Sequence, residues 1–365
     1  MKIIEITKAL DELAPLALQE AYDNAGFTIG NVNNKLAGIL CTVDVTEEVI
    51  NEAIKLGDNL IVSHHPVIFT GIKSLTGKNY TERIIVQAIK NDLALYASHT
   101  NIDNMLDGVN HKICEKLGLK NCRVLSPLEG KLAKLVTFVP DEYAEKVRTA
   151  IFEGGAGTIG NYDSCSYNTS GQGTFRGGEN TNPFIGEKGK MHFEKETRIE
   201  TIVPQHLVPD VVKRLLESHP YEEVAYDIYP LQNEYNQGGA GMIGEFEKVL
   251  QKEEFLNLLK TTFHLPLIRY AGSTRSQFKK IAVCGGSGSF LINKAINADA
   301  DAFITGDIKY HQFFEADDKI VICDIGHYES EQFTSEIFYR FLTKKFSKFA
   351  VHLSQVITNP IKYHF

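Results

Sequence analysis

Asn59-Leu60-Ile61-Val62-Ser63-His64-His65-Pro66 is a run of aliphatic and β-branched residues that stops at two adjacent histidines and a proline. Such a run reads as a short buried strand, and the proline, which donates no ladder hydrogen bond, takes the chain out of the sheet. Neighbouring residues on an extended backbone point to opposite sides. His64 and His65 are therefore poorly arranged to chelate one ion and well arranged to serve two neighbouring ions. On its own the pair is read equally well as turn histidines bonded to backbone or water.

Upstream of the pair, residues 36–45 read as a strand reaching Asp44, followed by a helix over 47–56. Strand, helix, strand favours a parallel α/β layer with right-handed crossovers. Earlier still, Thr7 is expected to cap a helix carrying Leu10, Leu13, Ala14 and Leu18 at helical spacing, and Tyr22-Asp23-Asn24-Ala25-Gly26 is a polar turn before a short strand at 27–30. Downstream, a helix over 81–91 leads to a strand at 93–98, which ends at His99-Thr100-Asn101-Ile102-Asp103, and a helix follows over 109–117. Ligands of open α/β sheets gather outside the carboxyl ends of the strands, so the two polar clusters are expected to face one crevice.

From about Lys131 the character changes. A strand (132–139), a helix (141–152), a Gly/Asn/Ser/Thr-rich stretch with a strand-like piece at 162–169, a strand (198–203), a helix (206–218) and a strand (224–229) succeed one another. That β-α-β-β-α-β order matches a ferredoxin-like α+β plait. Polar, turn-forming ends at Ser126-Pro127 and in 232–241 mark it as an inserted domain. The expected organisation is residues 1–127 and 237–365 as two parts of one α/β domain, with 128–236 inserted. His192, His206 and His219 share no metal-ligand spacing, so the insert reads as structural or regulatory.

The final third returns to the first style. A strand at 278–284, the loop Gly285-Gly286-Ser287-Gly288-Ser289, a helix at 290–297 and a strand at 302–305 lead to Gly306-Asp307. At an offset of 242, Ile50-Asn51-Glu52-Ala53-Ile54 aligns with Ile292-Asn293-Lys294-Ala295-Ile296, and His65 falls opposite Asp307. The match is weak, and it suggests two similar α/β/α halves around a shared cleft. The glycine loop could present N–H groups to an anion. It lacks the P-loop lysine and the third glycine of a dinucleotide fingerprint, and tight strand-to-helix packing is the better reading.

A strand at 320–323 then runs into Asp324-Ile325-Gly326-His327-Tyr328-Glu329-Ser330-Glu331 and a helix to about 341. His327 and Glu331, four apart at a helix start, share one face, as a chelating pair would. Taken alone, they are as well explained as an acidic first turn suited to the helix dipole. With His64, His65 and Asp103 they form a set of three imidazoles and two carboxylates, each just beyond an expected strand. Such a mixed nitrogen and oxygen set suits Zn, Mn or Fe(II) better than Ca or Mg, and two ions could share a bridging carboxylate.

Composition narrows the class. The chain of 365 residues is 43% hydrophobic and 23% charged, with a net charge of -8, which argues against general nucleic-acid binding. Its six cysteines are scattered without a C-x-x-C pair, so neither a zinc ribbon nor a disulfide framework is indicated. No apolar run reaches membrane-span length, and the first residues lead into an amphipathic helix, so a cytoplasmic protein is expected.

The turn at 22–26, Ser63-His64-His65-Pro66, His99 through Asp103, Gly285-Gly286-Ser287-Gly288, Thr305-Gly306-Asp307 and Gly326-His327 through Glu331 occur in that order. Together they resemble the dinuclear metal centre hexameric proteins known as GTP cyclohydrolase I type 2 homologues, over essentially the whole chain. The inserted domain resembles the PII-like or CutA-like insert of the longer bacterial members. The resemblance implies a homohexamer and a two-metal site held by His64, His65, Asp103, His327 and Glu331, with Glu331 bridging. His99, Thr100, Asn101, Asp307 and His311 would orient the ligands or contact substrate. The implied activity is metal-dependent hydrolysis of a nucleotide or other phosphorylated ring compound. The competing expectation is a non-catalytic metal-binding scaffold or sensor whose insert binds a ligand or partner. Ala25 departs from the family, which has a larger apolar residue there; the change touches packing and leaves the ligand set intact.

Overall fold

The computed structural model describes residues 1–272 and 275–364. The chain divides into two compact units, Met1–Pro127 with Gln237–Phe365 and, between them, Leu128–Asn236. The elements run α1 (Ile3–Leu13), β1 (Gly26–Ile29), β2 (Ile39–Thr42), α2 (Glu47–Leu56), β3 (Leu60–Ser63), α3 (Tyr80–Lys90), β4 (Ala94–Ala97), α4 (Thr100–Asp103), α5 (Val109–Leu117) and β5 (Lys120–Leu128). The middle unit contributes β6 (Leu132–Pro140), α6 (Ala144–Glu153), β7 (Ser166–Phe175), β8 (His192–Pro204), α7 (Val208–Ser218) and β9 (Tyr226–Leu231). The chain closes with β10 (Tyr235–Gln251), α8 (Lys252–Phe263), β11 (Arg269–Ala271), β12 (Gln277–Ser287), α9 (Ile292–Asn297), β13 (Ala302–Gly306), β14 (Val321–Asp324), α10 (His327–Glu331), α11 (Thr334–Lys345) and β15 (Val351–Leu353).

The larger unit holds two sheets, ordered β1-β4-β3-β2-β15 and β11-β14-β13-β12-β10-β5. Four strands of each correspond. In both, three parallel strands carry one antiparallel strand at the edge, β1 against β4 and β11 against β14. Register agrees as well: Ile39 pairs with Leu60 and, 242 residues on, Ile281 pairs with Ala302. The two strand-helix-strand units are therefore one topology used twice, as the sequence offset suggested. Alternation along each strand fills three apolar layers. Cys41, Val62 and Tyr96 join Val283, Ile304 and Cys323 in one core with α1, α5, α8 and α11, while Leu40, Ile61 and Leu95 face α2 and α3, and Ala282 and Phe303 face α9. Truncating Ile61, which is wholly buried, to alanine would cost about 2–5 kcal/mol.

Local signals explain some element ends. Thr46 caps α2 by accepting the Val49 N–H at 3.3 Å, and Gly57 ends it with φ +77°. Thr7, expected as a cap, lies inside α1. That helix starts at Ile3 because Ile3, Ile6 and Leu10 form its buried stripe, and the Glu5 carboxylate accepts the Lys2 N–H at 2.7 Å. Four strands have no counterpart in the expected elements: β5, β10, β11 and β15, and the first part of β10 occupies residues read as a polar connection. β10 is held by its ladder with β12 and carries glycines where an apolar alternation would have announced a strand.

The middle unit is a four-stranded antiparallel sheet, ordered β7-β8-β6-β9, with elements in the sequence β-α-β-β-α-β. Its helices α6 and α7 pack on one face through Val147, Ile151, Val211 and Leu215 against Leu135, Val139, Ile199 and Val203.

Candidate metal centre

The polar clusters lie at the carboxyl ends of the parallel strands. After β3, both His64 and His65 donate their backbone N–H to the Val43 carbonyl at 3.0 Å, which turns the chain sharply; the two rings, centred 4.7 Å apart, both bring Nε2 to Glu331. The one-turn helix α4 follows β4 and supplies Asp103, and α10 follows β14 and supplies His327 and Glu331. Glu331 needs close glycine backbone beside it. Gly286 has φ +60°, and a Cβ there would come within 2.3 Å of Glu331 Oε1. The N–H groups of this glycine loop are used internally: Gly285 donates to Asn110, Gly286 to Ser330 and Gly288 to Thr305. The loop thus packs α10 against β12 and holds no free nest for an anion.

Two donor sets share one residue, Glu331, and a third group, His64 with His65 and His99, overlaps both. His64 Nε2 lies 3.7 Å from Asp103 Oδ1 and 3.5 Å from Glu331 Oε1. His65 Nε2 lies 3.0 Å and His327 Nε2 3.1 Å from the other oxygen, Glu331 Oε2. Each set could hold a metal ion.

The outer nitrogen of each ring fixes its tautomer. His64 Nδ1 faces the Ser98 carbonyl at 2.9 Å, His65 Nδ1 faces Asp44 at 2.7 Å, and His327 Nδ1 faces Asp307 at 2.7 Å. Carbonyl and carboxylate oxygens only accept, so Nδ1 donates its hydrogen and Nε2 is the nitrogen each ring turns to the centre. Imidazole nitrogens and the carboxylate oxygens of Asp103 and Glu331 converge there. Among the described residues, His64 Nε2, Asp103 Oδ1 and Glu331 Oε2 are buried with no hydrogen-bond partner. Buried polar atoms are rarely left so, and a divalent cation is what this donor set fits.

The electrostatics agree. Burial disfavours a charged His65, yet the Asp44 and Glu331 carboxylates outweigh it and hold its pKa up at about 10. His327, buried but paired with Glu331 and Asp307, is raised to about 9 in the same way. Burial lifts Asp103 to about 6, partly offset by His64. Glu331 is wholly buried, but the three surrounding imidazoles hold its pKa well below the usual range. This is a site that attracts positive charge to its centre.

A cavity of 520 Å³ opens over the donors. Its walls include the aromatic rings of Tyr22, Phe69, Tyr80 and Phe290, and none of the described residues lining it is a lysine or arginine. His99 lines it with Nδ1 held by Asp23 at 2.7 Å; Asp23 also accepts the Thr100 N–H at 3.0 Å. The pKa of Asp23 falls to about 2, because these hydrogen bonds and the neighbouring imidazole outweigh its burial. Thr100 also lines the cavity, whereas Asn101 is buried behind it, accepting the His99 N–H and donating to the Ala14 carbonyl. His311 stands apart. It lies in a short 3-10 helix against Tyr310 and Phe314 and does not reach the cavity, because the chain leaves the strand end at Asp307 before that turn begins.

Sequence reasoning missed Asp23 and Asp44 as the carboxylates that orient His99 and His65. Both follow or precede expected strands, but nothing local marks which histidine each meets. It also missed the last residues: Thr358 donates to Asp44 at 2.5 Å, Asn359 donates to Glu329 at 2.9 Å, and Asn359, Pro360 and Ile361 line the cavity.

Fold and site together define a mixed α/β protein of several sheets with buried His, Asp and Glu groups that could bind a metal ion. A family model described as Duf34/NIF3 (NGG1p interacting factor 3) matches residues 1–360, and the chain belongs to that family. It is 43% identical over 324 residues to a "GTP cyclohydrolase 1 type 2 homolog" of Halalkalibacterium halodurans, covering 88% of this chain and 87% of that protein. It is 36% identical over 365 residues to the protein so named in Bacillus subtilis, covering 98% of each. The crystal structure of a Bacillus cereus protein related to NIF3 superposes with a TM-score of 0.87 at 36% identity, covering 100% of this chain and 99% of that one. No helix among the described residues is long and apolar enough to cross a membrane.

Proposed function

We propose that this protein is a metal-dependent hydrolase with a dinuclear centre, in which His64, Asp103 and Glu331 hold one divalent ion and His65, His327 and Glu331 the other. The observation that carries the reading is the division of the Glu331 carboxylate, one oxygen within reach of each donor set. The donor set favours Zn, Mn or Fe(II). Two such ions, when bound, supply Lewis acidity and lower the pKa of water at the centre.

The chain's own residues do the rest. Asp44 and Asp307 keep the His65 and His327 rings in the tautomer that offers Nε2 inward. His99, locked by Asp23 and turned to the cavity, is placed to hold or deliver a proton through Nε2. Tyr22, Phe69, Tyr80 and Phe290 suit the faces of a flat ring. With no lysine or arginine among the described wall residues, a phosphate would have only the ions to neutralise it. That favours a compact nucleotide-like ring compound over a triphosphate such as GTP.

The homohexamer and the cytoplasmic location implied by the motif resemblance belong to the same proposal, and the net charge of -8 weighs against a nucleic-acid substrate. The β-α-β-β-α-β order of the middle unit supports reading it as a ferredoxin-like insert of the PII or CutA kind. The test is protein reconstituted with Zn, Mn or Fe(II) and assayed on GTP, nucleoside monophosphates, free bases and phosphoesters. Turnover of ring compounds that disappears on chelation supports the reading. Full metal loading with every compound unchanged refutes it in favour of a metal-binding scaffold.

A further inference from the structure

The second large cavity, of 590 Å³, lies wholly within the middle unit and takes no part in the metal chemistry. It belongs to the sheet face that the helices leave open. Leu135, Val139, Ile199 and Val203 point to α6 and α7, so alternation sends Phe138, Glu196 and Arg198 the other way. Gly171 pairs directly across from Glu196, and Phe175 pairs with His192 further along the same ladder.

Glu196 is the informative group. It is only 8% exposed, and one carboxylate oxygen accepts the Tyr221 hydroxyl at 2.9 Å. No hydrogen bond or ion pair among the described residues reaches the other oxygen, Oε2. That oxygen lies over bare backbone: a Cβ on Gly173 would come within 2.1 Å of it. Oε2 is not among the buried atoms sealed from solvent, so it faces the open cavity with no cationic partner of its own. Of the two arginines among the described wall residues, Arg198 is already engaged: it pairs with Glu200 at 2.9 Å and rests over the Phe138 ring. Arg176 is exposed at the rim. Around Glu196 stand the rings of Phe175, Phe184 and Tyr221, with Tyr221 centred 5.8 Å from Phe175 and 6.3 Å from Phe184. Glu222, which anchors the covering loop by accepting the Asn182 N–H at 2.7 Å, adds a second negative charge to the wall.

We propose that this cavity is a binding site for a small organic cation, an amine, amidinium or guanidinium on an apolar body. Glu196 Oε2 accepts the charged N–H, and the aromatic rings hold the body and the face of the cation. Glu196 and Glu222 repel an anion of the same size from the floor.

The test is calorimetry and ligand-observed NMR on the full chain with benzamidine, agmatine and tetramethylammonium, and with ATP and inorganic phosphate as anionic probes. The site predicts saturable binding of benzamidine or agmatine, weakened at least about tenfold in Glu196→Gln through loss of the charged hydrogen bond. A second variant leaves the carboxylate in place. Gly171 is exposed and a Cβ there meets nothing within 4 Å, so Gly171→Leu adds bulk to the cavity without backbone strain and should block the same probes. Failure of every cation to bind at millimolar concentration overturns the proposal. So does cation binding that neither variant changes, or ATP or phosphate binding in the cavity in preference to the cations.

Discussion

The two halves of the larger unit share a topology and a register but contribute unequally to the proposed metal centre. The first half delivers His64, His65 and Asp103 from the ends of β3 and β4. The second delivers His327 and Glu331 from α10 after β14, and Asp307 from the end of β13. His64 is wholly buried and its outer nitrogen meets only a backbone carbonyl, whereas the His327 side chain is 36% exposed and is tied to a carboxylate. The donors thus form a deeper set around His64 and a shallower one around His327, each drawing on both halves and joined through Glu331. In the proposed centre the deep set should exchange its ion slowly and the shallow set quickly.

The largest effect should come from Glu331→Ala, which removes a donor from both sets. Metal analysis after dialysis should find both ions lost, and retention of either would break the link between the halves. Next in size, His64→Ala and His327→Ala should separate the sets. The first loses the deep ion and the second only the shallow one, read as metal per chain and as the fast and slow phases of release to a chelator. Equal losses from both would remove the distinction between deep and shallow. Smaller again, Asp44→Asn and Asp307→Asn leave every donor in place but loosen a ring. Metal affinity should fall roughly 10- to 100-fold at the shallow set, with the deep ion retained.

The smallest effect concerns Asp23, a feature of the first half alone. Its folded pKa, about 2, lies below the usual 3.8. A depressed carboxylate contributes stability that is present above the unfolded value and is lost as pH falls through the folded one. Urea midpoints should therefore drop between pH 4 and pH 2 in the parent chain, and less in Asp23→Asn. The same slope in both would show that the pair with His99 does not contribute.

Much of this was legible because strand ends carry the chemistry. The apolar runs at 60–63 and 302–306, with their histidine and aspartate termini, announce both the parallel sheets and where donors collect. The repeat offset then places the second half. What sequence could not give is pairing at long range. Asp44 meets His65, Asp23 meets His99 and Thr358 meets Asp44 only once the sheet is folded, and no spacing encodes it. His311 misled for the opposite reason: it sits close to Asp307 in the chain, but a turn of 3-10 helix carries it to another surface. β10 was hidden because its glycines serve close packing and leave no alternating pattern to read.

The most direct test of the central claim is a crystal of the reconstituted protein measured at the absorption edge of the bound metal. Two anomalous peaks are predicted, one among His64, Asp103 and Glu331 and one among His65, His327 and Glu331, with a separate Glu331 oxygen on each. A single peak, or two peaks with Glu331 on only one of them, would contradict the account.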